Sequence, residues 1–234
     1  MVWVFLVFTS FMLLFVPFIV LPFFFNGGRI SYFFLWLWSY IFSLLTFIRY
    51  EYIGREHIQK GKAYIYVSNH TSFLDLPGIR MMIPGEFRPL AKKELRKIPV
   101  FGWIVDSATI VVDRTSPESR KKSMEILKKL ILKGISLLIF VEGTQNRTKE
   151  TLQPFKEGAF RLGIDAQVPL LPMVVIGAGP LMPPGTINLR PGKIYIIAMP
   201  EIPTEGLTLQ DMSALKEKTF ALMKKRIEEF RSDT

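Results

Sequence analysis

Two apolar runs open the chain. Met1 to Gly28 carries no charge, and after Arg29 a second uncharged run extends from Ile30 to Ile48. At about 1.5 Å per residue the second run is roughly 28 Å long as a helix, close to the ~30 Å hydrocarbon thickness of a bilayer. Pro17 and Pro22 each remove a backbone donor and favour a kink in the first run. They leave an unbroken apolar stretch of about 15 residues, short for a span. Asn26-Gly27-Gly28 supplies a turn. The pattern predicts a membrane-embedded two-helix hairpin over residues 1–49, either spanning twice or seated in one leaflet, with the prolines favouring one leaflet. A signal peptide does not fit, because no basic segment precedes the apolar core and no small-residue cleavage site follows it. Arg49, Arg55, Lys60 and Lys62 come directly after the second run, which places residues 50–234 on the cytoplasmic side of the membrane.

From residue 50 short apolar runs alternate with charged helical stretches. Strands are predicted at Ala63–Ser68, Thr109–Asp113, Ile135–Val141, Leu170–Ile176 and Ile194–Met199, where β-branched and aromatic residues lie between glycines and prolines. Ser116 and Pro117 read as the cap and first position of a helix that Gly134 stops. Thr208 and Asp211 match a capping box before a final helix reaching about Phe230. Alternating strands and helices argue for one α/β layer domain over residues 50–234.

Charge adds a partner class. The formal net charge is +10, and the segment from Arg49 onward holds 29 of the 30 basic residues and all 20 acidic ones. Such a balance favours nucleic acid, an anionic membrane surface or phosphate-bearing substrates. The cations are not interleaved with an aromatic stacking surface and no groove-reading motif appears, so nucleic acid is not expected. There is no cysteine, and His57 and His70 are the only histidines. Thiolate nucleophiles and histidine-rich metal centres are therefore not expected.

His70 stands in SNHTSFLDL, five residues before Asp75. Along a plain helix positions i and i+5 lie about 140° apart and cannot pair. A strand ending near Ser68, a turn and a helix starting near Ser72 would let a first-turn carboxylate fold back over the histidine. Strand ends of α/β sheets are also where ligand crevices form. The same residues support a second reading, since Ser72 to Asp75 fits a capping box and a histidine near an aspartate is often structural. Both readings stand on this stretch alone.

Further blocks follow. AKKELRKIPVFGW (91–103), TIVVDR (109–114), FVEGTQNR (140–147), PFKEGAF (154–160) and VPLLPMVV (168–175) occur in that order after NHTSFLD (69–75). Together they resemble the blocks of the glycerolipid acyltransferase family, and within it the 1-acylglycerol-3-phosphate acyltransferases. The resemblance covers nearly everything from residue 63 to 176. Two positions depart from the family pattern: Val141 stands where a proline is usual, and Gln145 where an arginine is usual, with Arg147 two residues later.

The resemblance implies an α/β fold with a mixed sheet flanked by helices. It implies transfer of a fatty-acyl group from an acyl thioester, on coenzyme A or acyl carrier protein, to the sn-2 hydroxyl of lysophosphatidic acid. No cofactor is implied, because the thioester is itself a substrate. His70 would be the general base and Asp75 would orient it, the logic of a serine-protease triad with the substrate hydroxyl in place of serine. Asn69 or nearby backbone N–H groups would face the developing oxyanion. Arg114 heads the cations expected to hold the acceptor phosphate, followed by Lys92, Lys93, Arg147 and Lys156. Glu142, Gly143 and Thr144 would line the acceptor site. Within the class the acceptor could instead be glycerol 3-phosphate or another lysophospholipid. Outside it, a catalytically silent lipid-binding membrane protein would show the same hairpin.

Overall fold

The computed structural model describes residues 2–25, 28–112 and 116–232, without the side chains of residues 2–9, 11 and 12. The expected turn residues Asn26 and Gly27, and Arg114, lie outside this range. The two apolar runs form helices α1 (Val2–Phe24), with Pro17 and Pro22 inside it, and α2 (Gly28–Leu45). They pack on each other, with the Phe18 and Phe34 rings stacked at 5.0 Å between centroids. Among the described residues no helix is long and apolar enough to cross a membrane.

Strand β1 (Ile48–Ile53) follows at once, and β2 (Ile65–Ser68) leads into α3 (Asp75–Met82). Next come β3 (Phe87–Lys92), a short 3₁₀ turn (Lys93–Lys97), α4 (Phe101–Ala108) and β4 (Ile110–Val112). Helix α5 (Pro117–Leu132) starts as predicted, with the Ser116 hydroxyl accepting the Ser119 N–H. The chain continues through β5 (Ser136–Phe140), α6 (Gly158–Ala166), β6 (Leu170–Ile176), α7 (Ala178–Leu181) and β7 (Gly192–Ala198). Helix α8 (Met212–Ser232) begins after the Thr208–Asp211 capping box.

The strands form one seven-stranded sheet in the order β1-β7-β6-β2-β5-β3-β4. Every pairing is parallel except β6 with β7, so the sheet is mixed and flanked by helices as expected. The sequence pattern predicts neither β1 nor β3. Their runs IRYEYI and FRPLAK carry charges and are mostly half-buried, so they lack the continuous apolar signal of a strand covered on both faces.

Alternation along β2 divides the core. Tyr64 and Tyr66 point to the face covered by α1, α2, α3 and α4, whereas Ile65 and Val67 face α5, α6 and α8. Helices α1 and α2 belong to the first of these layers: Phe15, Ile19, Tyr32, Trp38 and Phe42 are buried in the same cluster as Leu138 and Met173. The buried Tyr32 hydroxyl donates to the Ala108 carbonyl at 2.9 Å, tying α2 to the end of α4. All four β2 residues are buried, and β2 lies between β5 and β6. Residues just beyond Ser68 therefore emerge at the centre of the sheet's carboxyl edge, the position where α/β folds place ligand crevices.

Candidate active site

His70 lies two residues past β2. Its Nδ1 is 2.7 Å from Asp75 Oδ2, although neither residue could reach the other along a continuous helix. The bend between β2 and α3 makes the contact. Asp75 is the first residue of α3 and its side chain is fully buried, while the His70 side chain keeps 17% exposure. Asp75 Oδ2 also accepts the N–H groups of Thr71 at 2.7 Å and Ser72 at 3.0 Å. One carboxylate thus closes the turn and holds the imidazole, but the reciprocal half of the expected capping box is absent: the Ser72 hydroxyl accepts the Leu74 N–H at 3.2 Å, and no side chain caps α3. Among the described residues no hydrogen bond engages Nε2 of His70.

The imidazole is fixed on a second side. It stacks on Phe140, the last residue of β5, with centroids 3.9 Å apart and planes 14° from parallel. Its backbone is held too, since the His70 N–H donates to Glu142 Oε1 at 2.9 Å and its carbonyl accepts the Asn146 N–H at 2.6 Å. Glu142 Oε2 accepts the Gln153 N–H at 2.8 Å. Glu142 is only 2% exposed, and burial pushes its carboxyl up, against the pull of these N–H donors. Both carboxylate oxygens are therefore committed to the backbone, which makes Glu142 a clamp on the histidine loop.

Asn69 is committed as well. Its amide bridges to β6, donating to the Val175 carbonyl at 2.9 Å and accepting the Val175 N–H at 2.8 Å. The side chain thus serves as a strut between the end of β2 and β6, using its oxygen and one of its two N–H groups. Gly143 has φ of 77°, a left-handed conformation that glycine adopts without Cβ strain, and its N–H closes a turn to Phe140. Thr144 is exposed beside it.

The cations fall into separate groups. Lys92 ends β3 opposite Val112, the last residue of β4, and so lies at the carboxyl edge that carries His70. Lys93 opens the adjoining 3₁₀ turn. Lys156 is exposed ahead of α6, with its N–H bonded to the Val141 carbonyl. Arg147 is elsewhere: it lines a polar cleft with Asn69, Thr71, Lys149 and Arg231, its guanidinium against Gly185. It does not join Lys92 and Lys93.

On the α1–α4 face an apolar cleft of about 100 Å³ runs between α2, α3, β3 and α4. Phe73, Leu76, Phe101, Ile104 and Val105 contribute to its wall. Phe73 belongs to the histidine loop, so the cleft begins three residues from the imidazole in the chain. Phe140, Glu142 and the Asn69–Val175 bridge were missed as partners of this loop, because nothing local signals contacts across 70 or more positions.

A mixed sheet with a histidine at the end of its central strand, backed by a buried carboxylate, defines an α/β protein whose candidate site sits at the sheet's carboxyl edge. The chain belongs to the acyltransferase family, whose model matches residues 49–176. It is 34% identical over 175 residues to human 1-acyl-sn-glycerol-3-phosphate acyltransferase alpha, a match covering 73% of this chain and 61% of that protein. It is 31% identical over 185 residues to the 1-acyl-sn-glycerol-3-phosphate acyltransferase of Saccharomyces cerevisiae, covering 76% of this chain and 60% of the relative. The chain thus matches less than two thirds of the length of these relatives. The crystal structure of the 1-acyl-sn-glycerophosphate (LPA) acyltransferase PlsC from Thermotoga maritima shares the fold, with a TM-score of 0.83 over 98% of this chain and 94% of that one at 21% identity.

Proposed function

We infer that the protein transfers a fatty-acyl group from an acyl thioester to the sn-2 hydroxyl of 1-acylglycerol 3-phosphate, making phosphatidic acid. The observation that supports this reading is the 2.7 Å contact from His70 Nδ1 to the buried Asp75 carboxylate, which engages one ring nitrogen and leaves Nε2 for the acceptor hydroxyl. An alcohol is a poor nucleophile until its proton is removed. Asp75 fixes the proton on Nδ1, so Nε2 accepts the hydroxyl proton as the oxygen attacks the thioester carbonyl. The carboxylate then stabilises the imidazolium. Collapse of the tetrahedral intermediate expels the thiolate, which recovers a proton from the imidazolium. The base supplies roughly 10²–10⁴ in rate.

The acceptor phosphate pairs with Lys92, Lys93 and Arg114, and the apolar cleft beside Phe73 receives an acyl chain. Residues 1–49 act as the membrane-embedded part and residues 50–234 as the catalytic domain. Phe18, Leu21, Phe24, Phe25, Ile30 and Phe33 are exposed on α1, α2 and the segment joining them, a surface suited to one leaflet on the cytoplasmic side. Lysophosphatidate and its diacyl product both reside there.

The test is thiol release and phosphatidate formation by detergent-purified protein given an acyl-CoA and lysophosphatidate. His70→Ala should lose about a hundredfold or more while staying folded. An active wild type with a nearly unchanged His70→Ala variant sinks the mechanism. A wild type inactive with coenzyme A and carrier-protein donors alike sinks the enzymatic reading.

A further inference from the structure

A second concavity opens at the same edge of the sheet. Its volume is about 310 Å³, at the lower end of the ~300–1,000 Å³ typical of small-ligand sites. Asn69 and Thr71, which flank His70 in the chain, form one wall. Arg147 and Lys149 come from the loop after β5, and Arg231 from the last turn of α8. Glu150 is the single carboxylate among the described lining residues, which leaves the cleft cationic. A concave site lined by one sign of charge attracts a counter-charge. Arginine, which supplies two of the cations, grips phosphate through paired N–H donors.

Position narrows the ligand. The cleft's outer wall is α8, which packs on the sheet face shared with α5 and α6. Helices α1 and α2 and the apolar cleft occupy the opposite face. Lys149 and Arg231 are exposed at the rim of the cleft, so an anion reaches them from water. Lys92 and Lys93 stand at the end of β3, beyond β5 from β2, whereas this cleft lies on the β6 side of β2, so a second cationic site fits the second substrate.

We propose that this cleft binds the phosphate-bearing nucleotide of a coenzyme A thioester, with Arg147, Lys149 and Arg231 pairing its phosphates. The inference rests on the acyl-transfer reading above and adds the donor class to it. The thioester carbonyl then approaches the base from the Thr71 side, and Arg147 serves the donor while the acceptor keeps Lys92, Lys93 and Arg114.

The experiment compares full-length wild type with Lys149→Glu/Arg231→Glu in detergent. Both positions are exposed, and thermal melting checks that the fold is kept. Adenosine 3′,5′-bisphosphate and glycerol 3-phosphate are titrated calorimetrically. Steady-state rates are measured with palmitoyl-CoA, palmitoyl-pantetheine and palmitoyl-carrier protein as donors. The charge-reversed variant should bind the bisphosphate about tenfold or more weakly and show a similar rise in KM for palmitoyl-CoA. Its KM for lysophosphatidate and its rate with palmitoyl-pantetheine should match wild type. The control Lys218→Glu/Lys225→Glu carries the same charge change elsewhere on α8 and should leave bisphosphate binding intact. Unchanged bisphosphate binding, a rise confined to the lysophosphatidate KM, or a loss confined to the carrier-protein donor each overturns the proposal. Bisphosphate binding lost in the variant of a protein that turns over no donor would instead uphold the cleft and reject the acyl-transfer reading.

Discussion

Glu142 holds the backbone of His70 in place: its Oε1 accepts the His70 N–H at 2.9 Å while its Oε2 accepts the Gln153 N–H at 2.8 Å. One buried carboxylate thus ties the histidine loop to the segment following β5. Glu142→Gln has one oxygen for two donors, and its NH₂ must face an N–H. Leaving one buried donor unpaired costs about 1–3 kcal/mol. Urea unfolding should show that loss, with kcat reduced and KM for lysophosphatidate little changed. Wild-type stability and rate in Glu142→Gln would mean that the clamp contributes nothing.

Phe140 supports the imidazole by stacking. Phe140→Leu keeps an apolar residue at the end of β5 but removes the flat surface. Aromatic stacking contributes about 0.5–1.5 kcal/mol, so kcat should fall roughly two- to tenfold if the ring positions the base. Single-turnover measurements separate this from slower product release. An unchanged chemical step would show that Asp75 alone orients His70.

The apolar cleft sets an expectation for chain length. Val105 is buried in its wall, and Val105→Phe fills space there. Overpacking should cost about 1–3 kcal/mol of stability. The ratio of kcat/KM for long over short acyl-CoA donors should fall. A ratio equal to wild type would place the acyl chain elsewhere.

Gly102 explains part of the IPVFG run. A Cβ at this position would collide with the Arg96 carbonyl, where α4 starts against the 3₁₀ turn that carries Lys93. Gly102→Ala should therefore displace that turn and weaken acceptor binding, raising KM for lysophosphatidate more than KM for the donor. Equal effects on both would assign the glycine to general stability.

Asp211 gives a pH dependence with a defined sign. The Thr208 N–H and hydroxyl hold its carboxyl below the ordinary carboxylate value of 3.8. A depressed folded-state pKa stabilises the protein above the unfolded value, and the contribution is lost as pH falls through the depressed value. Asp211→Asn should lower stability near neutral pH and flatten the acid side of the stability curve below pH 3.8. Denaturant midpoints between acid and neutral pH, compared with wild type, read this out.

Residues close in the chain made their own structure legible. Ser116, Thr208 and Asp211 cap helices through contacts within three positions, and β5 and β6 show continuous apolar runs because both of their faces are covered. The block order carried the family and the His70–Asp75 pair. Strands β1 and β3 stayed hidden because half-buried strands tolerate charge and proline.

The sequence by itself determined two apolar segments, an α/β body, a basic balance and a histidine with a carboxylate five residues on, since each depends on local composition or short-range geometry. Tertiary structure decided the rest. It brought Phe140 and Glu142 to His70, turned Asn69 towards Val175, packed α1 and α2 into a core shared with the sheet, and carried Arg147 to the cleft of Lys149 and Arg231. These contacts join segments dozens of residues apart. Sheet order and the burial of both sheet faces select them, and no local periodicity records that choice.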